Sequence, residues 1–355
     1  MEFQVPLTKK NGWEKDKMGK KIHRENSLVP IDTSADELFE SLNQLETQKT
    51  KHVLSYIPSF FTTASLPFKN INKTEFIRKA SNGISLILNS PTNVPFGKYG
   101  RLILSVFTTH AVLSKEKNVP VIVEFDSLSQ LLNEMQLPRQ RGKDILEQLS
   151  CFTRATFSFE KKEEIQLQAN LFKELYEPGE KVPKGPVEVK TTTTGTILFT
   201  DGVQFQEIID PSSKSQRVGK FKIILSANFA AFCQTHAVPI NYTVYKDITS
   251  PVGKDIYAWL VYRNNGLMAE KPVFIPRDKL VEQFMPVAED SDPKIANVNY
   301  SRIIDQIKEV KKEYYPELKV DIDKTGAGIT LFKSPTPVLA DDVRYALISS
   351  DLGGL

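Results

Sequence analysis

Apolar residues recur along this chain at helical and at alternating spacings, and the succession of the two patterns is the first thing it offers. Leu102 to Leu113 is a strongly apolar helix. Val121 to Phe125 is a short strand. Asp126 or Ser127 caps a second helix carrying Leu128, Leu131, Leu132 and Met135. Pro138 to Gly142 is a turn, and Ile145, Leu146, Leu149 and Phe152 form the inner face of a third helix. Thr156 to Phe159 alternates as a strand, with Lys161 and Lys162 near the turn after it. A similar order returns further on. Ser250, Pro251 and Gly253 open a helix whose apolar face is Ile256, Tyr257, Leu260 and Val261, widened by Trp259. A short helix begins near Pro276, Arg277 and Asp278, and a third runs from about Asn297 to Tyr315, burying Ile303, Ile307, Val310 and Tyr314. Val320 to Phe332 is a hairpin with Gly326 and Gly328 at its turn and Lys324 at its tip.

The remaining stretches fit around these. Thr33 to Glu37 starts a helix with Leu38, Leu42 and Leu45 on one side, and Tyr56 to Phe61 is an extended or loop segment that docks on the next domain. Ile84 to Leu88 reads as a strand. Residues 176–196 are rich in Pro, Gly, Lys and Thr and read as a linker or long loop. Asp201 and Gly202 suit the two-residue turn of a hairpin. Phe221 to Leu225 is a strand, and Ser226 caps a helix through Phe232. The expected organisation is an arm with a short helix at 1–73, a first domain at 74–175, a linker with a hairpin at 176–220, a second domain at 221–338 and a tail at 339–355. Helices with a terminal hairpin, twice over, predict an α+β fold of two tandem winged-helix domains with hairpin wings, in which a third helix can enter a DNA major groove.

Composition changes this picture little. The 355 residues hold two ordinary cores, and a net charge of +3 means that cations must be concentrated locally if phosphates are the partner. Cys151 and Cys233, two in all, are too few for a disulfide framework and read as buried free thiols in a reducing cytosol. No apolar run reaches the roughly 20 residues of a membrane span. The expectation is a soluble, cytoplasmic protein with no membrane partner. His23, His52, His110 and His236 are isolated, and neither a phosphate loop nor a zinc signature is present. His110 on its apolar face reads as a packing residue. No catalytic constellation emerges, so no enzyme activity, metal or cofactor is expected.

Cations at helix starts are the remaining chemistry. Arg139, Gln140, Arg141 and Lys143 stand where the first domain's third helix begins, the end that attracts phosphate and offers side chains to bases. A solvated basic turn is the plainer account; position favours DNA. Asn297, Asn299, Tyr300, Ser301 and Arg302 occupy the expected start of the second domain's third helix. Arginine pairs with guanine and Asn or Gln with adenine, so Arg139, Gln140, Arg141, Asn299 and Arg302 are candidate base readers. Lys161, Lys162 and Lys324 are wing cations, and for Lys324 a phosphate contact and a solvated turn stand equal. Lys9 to Arg24 form a basic arm that reads first as a solvated tail.

Several stretches resemble the RepA-type plasmid replication initiators: Pro95 to Leu104, Ser127 to Leu137, Leu146 to Ala155, Val238 to Ile240, and Tyr315 with Pro316. The most specific is the run Asp255, Ile256, Tyr257, Trp259, Leu260, Tyr262 and Arg263. The resemblance spans about 95–338 apart from the loops, and departs from the family at Pro138 to Gly142, where that family tends to carry glycines. It implies a non-enzymatic protein that binds repeated origin sites in double-stranded DNA, helps melt the origin, recruits host replication proteins (helicase and initiator), and switches between homodimer and monomer. A transcriptional repressor or partition adaptor of the same fold is the alternative.

Overall fold

A computed structural model of the chain describes residues 14–15, 21–22, 54–79, 84–114, 116–168, 186–210, 215–287 and 292–338. Met1–Glu46 and Thr47–Leu355 are separate compact bodies. In the first, β1 (Glu14–Lys15) pairs antiparallel with β2 (Lys21–Ile22). The helix predicted from Thr33 lies outside the described residues.

The second body opens with β3 (Leu54–Pro58), α1 (Ser59–Thr63), β4 (Glu75–Lys79) and β5 (Ile84–Asn89). Then come α2 (Gly97–Leu113), β6 (Val121–Phe125), α3 (Leu128–Glu134), a 3₁₀ turn at Arg139–Arg141, α4 (Gly142–Phe152), β7 (Thr156–Gln168), β8 (Pro186–Leu198), β9 (Thr200–Asp210) and β10 (Ser215–Leu225). After α5 (Ala227–His236), β11 (Ala237–Asn241) and α6 (Tyr242–Asp247), the chain forms α7 (Pro251–Gly266), β12 (Val273–Pro276) and α8 (Arg277–Phe284). Last among the described residues come α9 (Pro293–Glu309), a π turn at Val310–Tyr314, β13 (Val320–Ile322) and β14 (Gly328–Leu331). The architecture is mixed helix and sheet. Three caps fall on the predicted serines: Ser127, Ser226 and Ser250 each accept the N–H three residues on, from Gln130, Phe229 and Gly253 at 3.1–3.2 Å. Such a cap contributes about 1 kcal/mol.

Two of the sheets share one strand order. In β6-β10-β9 and again in β12-β14-β13, the strand after a long helix lies at one edge and the last strand of the set in the middle. Each sheet therefore completes a helix, strand, helix, helix, two-strand unit, with α2, α3 and α4 in the first and α7, α8 and α9 in the second. The first unit's closing strands are not those the sequence suggested. β7 and β8 form a long hairpin that joins β4 and β5 in another sheet, in order β4-β5-β7-β8.

Three sequence expectations are corrected here. Most of the presumed linker is strand β8, because β7 supplies thirteen residues of antiparallel pairing from Thr156↔Leu198 to Gln168↔Pro186. Lys161 and Lys162 are within β7, opposite Thr193 and Thr192, and not beside a turn. Asp201 and Gly202 are inside β9, Gly202 opposite Ile224. The chain changes sheet one step earlier, at Phe199. Its ring is buried 4.4 Å from those of both Phe152 and Phe229, and its N–H donates to Ala155 O at 2.9 Å.

A continuous apolar core joins both halves, and α7 runs through it with Ile256, Tyr257, Trp259, Leu260 and Val261 all buried. Trp259 meets Phe284 of α8 edge to face at 5.2 Å. Large aromatics bury about 150–250 Å² each, so this helix dominates local stability. Its polar residues hold neighbours. Arg101 of α2 is buried and uses all five N–H groups: two on the Asp255 carboxylate at 2.6 and 2.7 Å, three on the carbonyls of Leu66, Pro67 and Gly97. Lys254 is fully buried and donates to the carbonyls of Tyr245 and Lys246 at the end of α6. Burial, with Arg101 and Lys98 nearby, pushes its amine well below the ordinary lysine range. Arg78 of β4 donates to the carbonyls of Gln283 and Phe284 at the C-terminus of α8, where a cation suits the helix dipole. The first helices of the two repeated units are thus joined by a buried, fully hydrogen-bonded ion pair.

Candidate nucleic-acid interface

The first unit's tip is built by a turn and two helix starts. Leu128 of α3 packs over Gly142, where a Cβ would stand 3.1 Å from the Leu128 side chain. The glycine lets α3 and α4 approach closely. Pro138 sits extended before the 3₁₀ turn, which Arg141 closes by donating its N–H to Pro138 O at 3.0 Å. Arg139, Gln140, Arg141 and Lys143 are all exposed. Arg141 lies 3.5 Å from Asp144, a solvent-screened pair of little energy.

Two further residues join this tip from α2. The Arg141 guanidinium is 6.0 Å from the centre of the Tyr99 ring, and Lys98 Nζ is 5.0 Å from it. Partial burial raises the Tyr99 phenol above its ordinary value, and the Arg141 cation counters part of that rise. Lys98 and Tyr99 were missed by the sequence reasoning. The signal was the run Gly97, Lys98, Tyr99, Gly100 at a helix start, but nothing in it names Arg141 as neighbour.

The second tip departs further from expectation. Helix α9 starts at Pro293, capped by Asp292, which accepts the Lys294 N–H at 2.8 Å. Asn297 to Arg302 therefore occupy its second and third turns. That phase turns Asn299 and Tyr300 inward beside Ile303 and Ile307, and both are buried. Asn299 Nδ2 donates to Met285 O at 2.9 Å, and the Tyr300 hydroxyl to Gly328 O at 3.3 Å. As placed, neither faces solvent where a base could reach it. Asn297, Ser301 and Arg302 are exposed; Ser301 turns its hydroxyl back to Asn297 O at 3.1 Å. Arg277 at the start of α8 donates to Asn297 Oδ1 and lies 4.8 Å over the Tyr300 ring, fixing α8 against α9. The exposed side of α9 also carries Lys294, Ile295 and Val298, which the sequence reasoning passed over.

Lys324 is exposed in the β13–β14 turn. The turn is set by Asp323, which accepts the Thr325 N–H and hydroxyl at 2.6 and 2.7 Å. Those bonds hold the Asp323 carboxyl below its usual range. The side chains of Lys161 and Lys162 are outside the described residues.

Other titratable groups are tied into the fold. His110 Nε2 is 2.9 Å from Glu134 Oε1, linking α2 to α3. Burial pushes the Cys151 thiol up to about 11 and raises that of Cys233 as well. Both are poor nucleophiles at neutral pH. Among the described residues there is no group of three His, Cys, Asp or Glu side chains that could hold a metal ion, and no helix is long and apolar enough to cross a membrane.

No protein-family model matches this chain, and no curated protein does. Among solved structures it is similar to a crystal structure of domains 2 and 3 of RctB, at 11% identity over 78% of this chain and 96% of that one, with a TM-score of 0.42. A second crystal structure of RctB domains 2–3 gives 9% identity over 76% and 94%, with a TM-score of 0.39.

Proposed function

We propose that this protein is a tandem winged-helix, sequence-specific binder of double-stranded DNA that initiates replication of its replicon. The carrying observation is the repeated helix, strand, helix, helix, two-strand unit with one strand order, each third helix presenting exposed cations. The strand order first, third, second and the exposed third helix are what a winged helix requires to lay that helix in a major groove. The Arg101–Asp255 pair joins the two units through their first helices, which favours a fixed spacing of the tips over independent docking. In the first unit Arg139, Gln140, Arg141 and Lys143, beside Lys98, supply phosphate and base contacts; in the second, Lys294, Asn297, Arg302 and Lys324 do so. The initiator role is supported by the resemblance over about 95–338 to RepA-type initiators, whose most specific run includes Asp255 itself. Origin melting and recruitment of host replication proteins follow from that role.

The test is a gel-shift titration on the repeats beside the protein's own gene, followed by permanganate footprinting of an adjacent AT-rich tract. Preference for the repeats with newly reactive thymines supports an initiator. Preference without unpaired thymines leaves a repressor or partition adaptor of the same fold. Absence of any preference rejects sequence-specific binding.

A further inference from the structure

We infer that α9 reads thymine through Ile295 and Val298, placing their side chains against C5-methyl groups in the major groove. This rests on the proposed DNA-binding function and names what the second tip recognises. Ile295 and Val298 are 43% and 49% exposed. They stand three residues apart on the exposed side of α9, Val298 opposite the buried Ile307 and Ile295 on the adjoining flank. Both are β-branched, which slightly disfavours a helix but fixes the side chain at χ1, so their methyl groups are held in one place. The helix beneath is pinned from inside by Asn299 to Met285 and Tyr300 to Gly328, and at the surface by Arg277 to Asn297.

Charge around the pair selects the occupant. Lys294 and Arg302 are exposed four residues before and four after Val298, so cations bracket the apolar spot along one face. An apolar protein surface laid there would strip water from both cations, whereas a groove flanked by phosphates meets them. Asp305 is exposed about one turn beyond Arg302 and faces the same side. Its carboxylate repels a phosphate backbone, so the N-terminal half of α9 enters the groove. Within the major groove the one apolar group on a base edge is the thymine methyl. The first tip differs: none of the exposed large apolar residues described falls in α4, whose start presents arginine and glutamine. The two units would then read different base types.

The experiment uses the full chain and a duplex selected from a random pool by binding to it. Each thymine in the protected site is replaced in turn by deoxyuridine, which deletes one methyl group and nothing else. Wild type should lose about fourfold in affinity at one or two thymines of the half-site covered by the second unit, the size expected for one buried methyl group. Val298→Ala or Ile295→Ala should weaken binding to the thymine duplex by a similar factor and lose the response to uracil at that position. Both side chains are on the surface, and an unchanged melting temperature confirms that the variants are folded. Equal wild-type affinity for every substituted duplex overturns the assignment while leaving DNA binding intact. So does a wild-type uracil response in both variants, which would leave the pair to a protein partner. If no duplex is selected at all, the DNA-binding function falls together with it.

Discussion

The two repeated units share an order of elements but close it differently. In the second, α9 runs through one π turn into the short β13–β14 hairpin, and the sheet is complete within a few dozen residues. In the first, the β7–β8 hairpin intervenes between α4 and the strands β9 and β10, of which β10 pairs with β6 and with β9. Local closure fixes the second tip by tight backbone contacts. Non-local closure fixes the first by a swivel at one buried phenylalanine and by a second sheet. What makes them one body is the joint between α2 and α7, and that joint is where the largest effects are expected.

Removing one partner of a buried ion pair leaves the other charge uncompensated, at a cost of about 3–5 kcal/mol. Asp255→Ala should therefore lower stability by that amount in chemical denaturation, since Arg101 would keep three carbonyls but no carboxylate. It should also weaken cooperation between the tips on DNA with properly spaced half-sites. A loss below about 1 kcal/mol would mean that the apolar core alone joins the units.

A pair of glycines sharpens the contrast in closure. A Cβ at Gly328 would collide with the carbonyl oxygen of Ile275, which precedes its β12 partner Pro276. At Gly195 in β8 it would meet the ring of Phe159 opposite, a side chain that can turn aside. Gly328→Ala should then cost roughly 2–4 kcal/mol and Gly195→Ala less than about 1 kcal/mol. Equal losses by urea titration would show that the ring is held as firmly as the backbone.

The third helices give a test of function against structure. Arg141→Ala should weaken site binding by about 1–3 kcal/mol and flatten the salt dependence, with melting unchanged. Asn299→Ala should do the reverse: stability falls by about 1 kcal/mol as a buried carbonyl loses its donor, and the salt slope stays as it was. If Asn299→Ala shifted base preference without loss of stability, the inward placement of Asn299 would be refuted.

How much was legible divides along the same line. Strand β6, the capping serines, the aromatic α7 and the last hairpin were readable because their signals are local: alternation, a cap, a helical stripe, glycines at a turn. Strand β8 was not, since Thr191 to Thr194 and the prolines before it signal a loop unless a partner strand is present. The start of α9 was hidden because Asp292 and Pro293 close an acidic, polar run that resembles a loop. Moving that start back by four residues turned Asn299 and Tyr300 into packing residues and brought Ile295 and Val298 to the surface. Arg101 and Asp255 lie 154 positions apart, and no local pattern joins them.

The smallest expected effect compares two cations on either side of the joint. Arg101 is matched by a carboxylate; Lys254 is matched by two carbonyls and its pKa is lowered well below 10.5. Below its lowered native value the amine is protonated in both folded and unfolded chains and adds no pH slope. Between that value and the ordinary value of about 10.4, the unfolded chain binds the extra proton, so stability rises with pH. Above about pH 10 the trend is opposed by Tyr242, Tyr245 and Tyr257. Burial raises their phenols, so they stay protonated in the fold while the unfolded chain ionises. The difference between wild type and Lys254→Met isolates the lysine, because the tyrosines are common to both. Urea midpoints measured at rising pH should show wild type gaining on the variant up to about pH 10. Parallel curves would mean that the two carbonyls hold the ammonium charged throughout.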